Sequence, residues 1–153
     1  MHTVGLISDT HGLLRPQAMD ALRGSDLIIH AGDVGNPEIL DHLRAIAPTF
    51  TVRGNVDTEP WTAALPEAEA VSAGELSFWV LHNIGHLDID PAANGFVAVI
   101  YGHSHKPVIE ARNGVLFINP GSAGPRRFRL PVTVGRIVVR GRELHPEIID
   151  LEV

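Results

Sequence analysis

The chain has 153 residues, no Cys, 44% hydrophobic and 20% charged residues, and a formal net charge of −6. A chain of this length buries roughly 68–70% of its unfolded surface, so a single domain over residues 1–153 needs no disulfide or structural zinc, and the lack of Cys excludes thiolate metal sites, iron–sulfur clusters and a Cys nucleophile. The acidic balance argues against a general nucleic-acid partner; with no apolar run near the ~18 residues of a membrane span and no basic start before the first apolar residues, the expected address is the cytoplasm.

An apolar run over 4–7 predicts a first strand and ends in Ser8-Asp9-Thr10-His11-Gly12. Pro16 then opens a segment with Ala18, Met19, Ala21 and Leu22, which predicts a helix over 16–22. The pattern repeats as a strand over 26–31 ending in Gly32-Asp33, and Pro37 starts a helix with Ile39, Leu40, Leu43 and Ile46 on one face. A third strand over 49–53 ends in Gly54-Asn55. Apolar strands alternating with helices indicate parallel pairing under a helical cover.

After Pro66 the pattern changes. Residues 67–72 and 75–82 read as a hairpin around Ala73-Gly74, the second strand ending at His82. A loop with Asn94-Gly95 leads to a strand over 96–101, which stops before Gly102-His103-Ser104-His105. Two more strand pairs follow, 108–112 with 115–119 around Asn113-Gly114, and 131–140 with 142–151. The expected fold is therefore α/β (α+β), two sheets packed together with helices outside.

Five separate apolar strands stop at metal-ligating residue types: Asp9 and His11, Asp33, Asn55, His82, then His103 and His105. Ligands in open α/β sheets collect at the carboxyl ends of strands, so ordinary topology would bring these residues to one cleft. Asp9-Thr10-His11 and His103-Ser104-His105 each set two ligand types two residues apart, which in an extended segment aims both at one side. Taken singly, each has an ordinary reading as a turn, cap or half-buried residue, but no common structural demand puts Asp, His and Asn at five strand ends. By contrast, His30 reads as a hydrogen-bonded buried His, His86 as a loop residue, and Arg126-Arg127-Phe128-Arg129 as a solvated loop.

His nitrogen mixed with Asp and Asn oxygen, without thiolate, points to a borderline divalent ion: Mn2+ foremost, or Fe2+, Ni2+, Zn2+ or Co2+. Seven such side chains exceed the needs of one catalytic ion that keeps a position open for water, whereas two ions sharing a carboxylate use them economically. Two ions can hold a bridging hydroxide and stabilise the attacking and leaving oxygens of an in-line displacement at phosphorus, so phosphate-ester hydrolysis is the leading reaction.

The set Ser8-Asp9-Thr10-His11-Gly12, His30-Ala31-Gly32-Asp33, Arg53-Gly54-Asn55-Val56-Asp57, His82, Gly102-His103-Ser104-His105 and Asn119-Pro120-Gly121-Ser122, in this order, resembles the calcineurin-like metallophosphoesterases. Within that family it is similar to the small bacterial and archaeal phosphodiesterases related to the retromer subunit of vacuolar sorting. The resemblance implies a four-layer α-β-β-α sandwich. It also implies one metal among Asp9, His11, Asp33 and His105 and another among Asp33, Asn55, His82 and His103, with Asp33 as the bridge. Asn55 and Arg53 are the implied contacts to a small phosphate-ester substrate, and a homodimer is implied as well.

Two positions depart from the family pattern. Where many members carry His after the motif Asn, this chain has Val56, which can neither touch phosphate nor protonate a leaving oxygen; Asp57 is the nearest candidate donor. His82 is followed by Asn83 where the family often has Gly. Intact ligands favour a metal-dependent phosphodiesterase, the alternatives being a phosphomonoesterase and a non-catalytic metal-binding or protein-interaction scaffold on the same fold.

Overall fold

A computed structural model describes residues 1–153. The first half runs β1 (His2–Ile7), α1 (Pro16–Leu22), β2 (Leu27–His30), α2 (Pro37–Arg44) and β3 (Thr49–Thr51). The second half runs β4 (Ala68–Ala73), β5 (Leu76–Leu81), β6 (Ala98–Ile100), β7 (Val108–Arg112), β8 (Val115–Asn119), β9 (Thr133–Arg140) and β10 (Glu143–Asp150). These strands form two five-stranded sheets, ordered β10-β9-β1-β2-β3 and β4-β5-β6-β8-β7. Both sheets are mixed: β1, β2 and β3 are parallel with β9 antiparallel to β1, and β5, β6 and β8 are parallel between antiparallel edges.

The period-2 alternation of the strands sets the layers. Val4, Leu6 and Ile29 point between the sheets and meet Phe78, Val80, Ile100 and Ile118. Ile7 and Ile28 point the other way, onto Leu22 of α1 and Ile39, Leu40 and Leu43 of α2. With apolar cover on both faces, β1 and β2 tolerate the unbroken apolar runs that mark parallel strands. Pro37 and the Asn36 side chain, which accepts the Glu38 N–H at 2.9 Å, start α2.

The outer face of the second sheet carries a thin fourth layer. Ile84 and Leu87, at a single 3-10 turn over Ile84–His86, pack there against Leu81, Val99, Tyr101 and Phe117. His86 thus lies in a short turn, not in a helix facing His82. The third strand is shorter than its apolar signal, because the Arg53 N–H turns away to pair with Pro66 O at 2.8 Å. The expected hairpin at Asn113-Gly114 forms, both residues taking positive φ (51° and 79°), as a tight primed turn requires. No helix is long and apolar enough to cross a membrane.

Candidate metal centre

The carboxyl ends of β1, β2, β3, β5 and β6 lie along one edge of the molecule, and the loops leaving them meet there. Asp9, Asp33, His82 and His105 are buried, His11 is half-buried, and Asn55 and His103 form the exposed rim. Five of these residues leave their strands in the left-handed region: Asp9 (φ 56°), His11 (46°), Asp33 (59°), His103 (73°) and His105 (64°). That conformation costs an L-residue roughly 1–2 kcal/mol, and such strain concentrates where a backbone must aim a side chain. Here it turns each side chain inward from its strand end.

Two groups of three donors result, each within 4.8 Å: Asp9, His11 and His105, and Asp9, Asp33 and His82. Asp9 Oδ1 stands 3.4 Å from His105 Nε2, 3.7 Å from His11 Nε2 and 3.8 Å from His82 Nε2. Asp33 Oδ2 stands 3.1 Å from His82 Nε2 and 3.6 Å from His11 Nε2, so it also lies between the groups. His11 Nε2 and His105 Nε2 face each other at 3.3 Å. At the rim, His103 Nδ1 and Asn55 Oδ1 are 3.1 Å apart, and the His103 ring meets His82 edge-on with centroids 5.3 Å apart. The seven residues of the sequence pattern therefore converge, with His103 and Asn55 as a rim pair beside the two buried groups.

The surrounding hydrogen bonds leave one atom of each buried group free to point inward. Ser8 Oγ and the His103 N–H both donate to Asp9 Oδ2, at 2.7 and 3.1 Å, which leaves Oδ1 facing the imidazoles. The Val56 N–H donates to Asp33 Oδ1 at 3.0 Å and leaves Oδ2 inward. His82 Nδ1 donates to Ala31 O at 2.7 Å, so the Nε2 lone pair faces the carboxylates, the tautomer that orients a metal-ligating His. Close backbone approach explains two glycines: a Cβ on Gly54 would lie 2.1 Å from Asp33 Oδ1, and one on Gly102 would lie 2.1 Å from Ser8 Oγ.

The structure gives Asp57, the nearest candidate donor, a structural role. It is buried, its Oδ1 accepts the N–H groups of Val34 (3.0 Å) and Gly35 (3.4 Å), and its Oδ2 accepts those of Asp33 (2.9 Å) and Gly54 (2.8 Å). Both oxygens of this carboxyl are thus taken up by backbone donors. Asp57 is a clamp that ties the Asp33 loop to the Gly54-Asn55 loop. Val56 beside it is exposed and apolar.

Residues outside the ligand set hold these loops in place. Gly32 donates to His30 Nδ1 at 3.1 Å, so His30 Nε2 carries the proton and gives it to Thr10 Oγ1 at 3.0 Å, which in turn donates to Val34 O at 2.8 Å. His30 is thus the buried, hydrogen-bonded residue its setting suggested, and it braces the Asp9 and Asp33 loops. Asn119 Nδ2 donates to Gly102 O and to Ser104 Oγ, at 3.0 and 3.2 Å, and Ser122 Oγ donates to Asp9 O at 3.0 Å. The Asn-Pro-Gly-Ser segment therefore holds the His103 and Asp9 loops; its presence among the family motifs was the one hint.

Electrostatics follow from this packing. Burial opposes ionisation of Asp9, but His105, His11, His82 and the Ser8 hydroxyl outweigh it and hold the carboxyl well below the usual range. Burial likewise opposes ionisation of Asp33, while His82 and the Val56 N–H hold it low. The Asp9 carboxylate beside His11 raises that imidazole, against burial and the charge of Arg127. His82 is raised too, as Asp33 and Asp9 overcome its burial. His30, fully enclosed, is pushed down by burial to about 4, against the charges of Asp9 and Asp33.

Three buried donor atoms here have no protein partner: Asp9 Oδ1, His82 Nε2 and His105 Nδ1. His82 Nε2 is near Asp33 Oδ2 but out of line for a hydrogen bond. An unpaired buried polar atom costs about 1–3 kcal/mol, which a cation would offset at Asp9 and His82. Donors about 2.1 Å from a common ion stand roughly 3.0–3.5 Å apart, close to the spacings among Asp9, His11, His105, Asp33 and His82. These residues fit a divalent metal.

Beside Asn55 and His82 opens a cleft of about 390 Å³, whose wall includes Arg53, Glu67, Trp79, Asn83, His86 and Asp88. Arg53 points into it but pairs with Glu67 at 3.0 Å. On the opposite flank, Phe128 is 87% exposed, and Arg126 bonds the carbonyls of Leu130 and Val153.

The chain is similar to a probable metallophosphoesterase of Methanothermobacter thermautotrophicus, with 34% identity over 95% of this chain and 91% of that one. A phosphodiesterase of Escherichia coli K12, YfcE, is 29% identical over 85% of this chain and 84% of its own. In fold it matches Vps29 of Chaetomium thermophilum, with a TM-score of 0.79 and 18% identity over 97% of this chain and 95% of that one. Residues 2–142 match the calcineurin-like phosphoesterase superfamily domain, and the chain belongs to that family.

Proposed function

We propose that this chain is a phosphodiesterase that works with two divalent ions, Mn2+ foremost, held by Asp9, His11, Asp33, Asn55, His82, His103 and His105. The observation that carries the proposal is the joint one of five left-handed residues at strand ends and two buried, unpaired donor atoms, Asp9 Oδ1 and His82 Nε2, facing one point. When bound, such ions neutralise phosphoryl charge and make water acidic enough to serve as hydroxide near pH 7.

The chain's own residues do the rest. Asp33 Oδ2, between the two donor groups, brings negative charge where two cations would repel each other. Asn55 offers an amide oxygen without added charge, so the rim stays receptive to an anionic phosphate. The clamp at Asp57 and the bond from Val56 N–H to Asp33 keep both loops in register. With Val56 apolar and both Asp57 oxygens engaged by backbone N–H groups, neither side chain is offered to a leaving alcohol. General acid catalysis is worth roughly 10²–10⁴-fold, so the site favours esters of acidic alcohols. An acidic, Cys-free chain of this kind suits the cytoplasm.

The test strips the protein with chelator and restores Mn2+, Ni2+, Zn2+ or Mg2+ in turn, using an activated diester and the matching monoester. Metal-restored turnover with the diester ahead supports the proposal. Faster monoester turnover would make the protein a phosphomonoesterase, and tight metal without turnover would make it a scaffold.

A further inference from the structure

The cleft beside Asn55 and His82 is continuous with the centre, yet none of the roles above uses its far wall. That wall combines a half-buried indole, Trp79, with the carboxylates Glu67 and Asp88, the amide of Asn83 and the imidazole of His86. Trp79 is braced by Phe96, with ring centroids 5.2 Å apart, so its exposed face is held in place. Arg53 and Glu67 are paired with each other, and the charge left over in the cleft is that of Asp88.

We propose that this cleft binds the alcohol arm that stays on the phosphate after cleavage, and that it selects an uncharged polyhydroxylated arm, a sugar or polyol. This rests on the phosphodiesterase reading. A rigid indole face takes the apolar C–H side of such an arm, while carboxylate and amide oxygens accept from its hydroxyls. A second phosphate would instead meet Asp88, with the Arg53 charge already engaged by Glu67, and like charges at close range disfavour it. A plain alkyl arm would leave the polar wall unpaired. The reaction consumes one water: its oxygen bonds to phosphorus, the P–O bond to the leaving alcohol breaks, that alcohol takes up a proton, and a polyol monophosphate remains.

The test compares three p-nitrophenyl diesters whose second arm is glycerol, methyl or phosphoethyl, so that the leaving group is constant. The glycerol arm should give kcat/KM at least about tenfold above methyl, as expected of one good bond to a charged acceptor, and the phosphoethyl arm should fall below methyl. Asp88→Asn should cut the glycerol advantage about tenfold and raise the phosphoethyl ester relative to methyl.

Binding is read separately. The chain has two Trp, so Trp61→Phe leaves Trp79 as the only indole. Trp61 Nε1 has no hydrogen-bond partner to lose. The emission of Trp79 should respond to a glycerol phosphinate, with carbon in place of both ester oxygens, at lower concentration than to dimethylphosphinate. Equal kcat/KM for glycerol and methyl arms, or equal phosphinate titrations, would overturn the assignment. If no diester is cleaved with any metal, the phosphodiesterase reading fails, and the phosphinate titration alone still decides what the cleft binds.

Discussion

Replacing Asp57 separates a clamp from a proton donor. Its carboxylate accepts four backbone N–H groups at 2.8, 2.9, 3.0 and 3.4 Å and is only 4% exposed. Hydrogen bonds to a charged group contribute about 1.5–3 kcal/mol each, and an orphaned buried N–H costs about 1–3 kcal/mol. Some of the freed groups will find water, so Asp57→Ala should cost about 4 kcal/mol, at the upper end for a point substitution. Asp57→Asn keeps one accepting oxygen and turns an NH2 toward the other donors, for about 2 kcal/mol. At 2–4 °C per kcal/mol for a chain of this size, the midpoint of thermal unfolding should fall by about 12 °C for Ala and about 6 °C for Asn. Scanning calorimetry of both variants, stripped of metal, reads this without reference to activity. A proton donor would behave otherwise: unfolding within about 1 kcal/mol of the parent, with rate lost only on esters of weakly acidic alcohols. That result would refute the clamp.

Asp33→Asn should weaken the binding of both ions, since it removes the charge between the two donor groups, whereas Asn55→Ala should chiefly weaken one; equilibrium dialysis with Mn2+ distinguishes them, and loss of the same single ion in both would count against the shared position of Asp33. Val56→His should raise turnover of esters with poor leaving groups, up to about 100-fold, with little change for p-nitrophenyl esters. His30 gives a pH signature: its folded value of about 4 lies below the unfolded 6.5, so the unfolded chain binds more protons between them. Its contribution is complete above about pH 6.5 and is lost as pH falls toward 4, by roughly 3 kcal/mol in all. Urea unfolding at several pH values should show this slope in the parent and a shallower one in His30→Gln.

The legible part of the fold was its apolar rhythm. Ile28 and Ile29 read as one buried strand because each side of that strand is covered, by α2 on one face and by the second sheet on the other. Strand ends were legible for the same reason, since the polar residues after such a run mark the sheet edge, and seven residues from five such ends gather at the centre. What periodicity could not show was direction. The left-handed turns at Asp9, Asp33 and His103 aim the side chains, and although Asp and His visit positive φ more often than most residues, identity alone does not say which of them do. The clamp at Asp57 is not legible in sequence, because Asn55, two residues before it, reaches the rim while Asp57 folds back under the Asp33 loop. The long-range bonds of Asn119, Ser122 and Thr10 were out of reach for a similar reason: a short polar residue tells nothing of a partner 17 or 113 residues away.

The most direct measurement of the central claim is anomalous diffraction from crystals of the stripped protein soaked in Mn2+. Two peaks per chain are expected, one among Asp9, His11, Asp33 and His105 and one among Asp33, Asn55, His82 and His103. A single peak, or none within reach of these side chains, would contradict the two-ion centre.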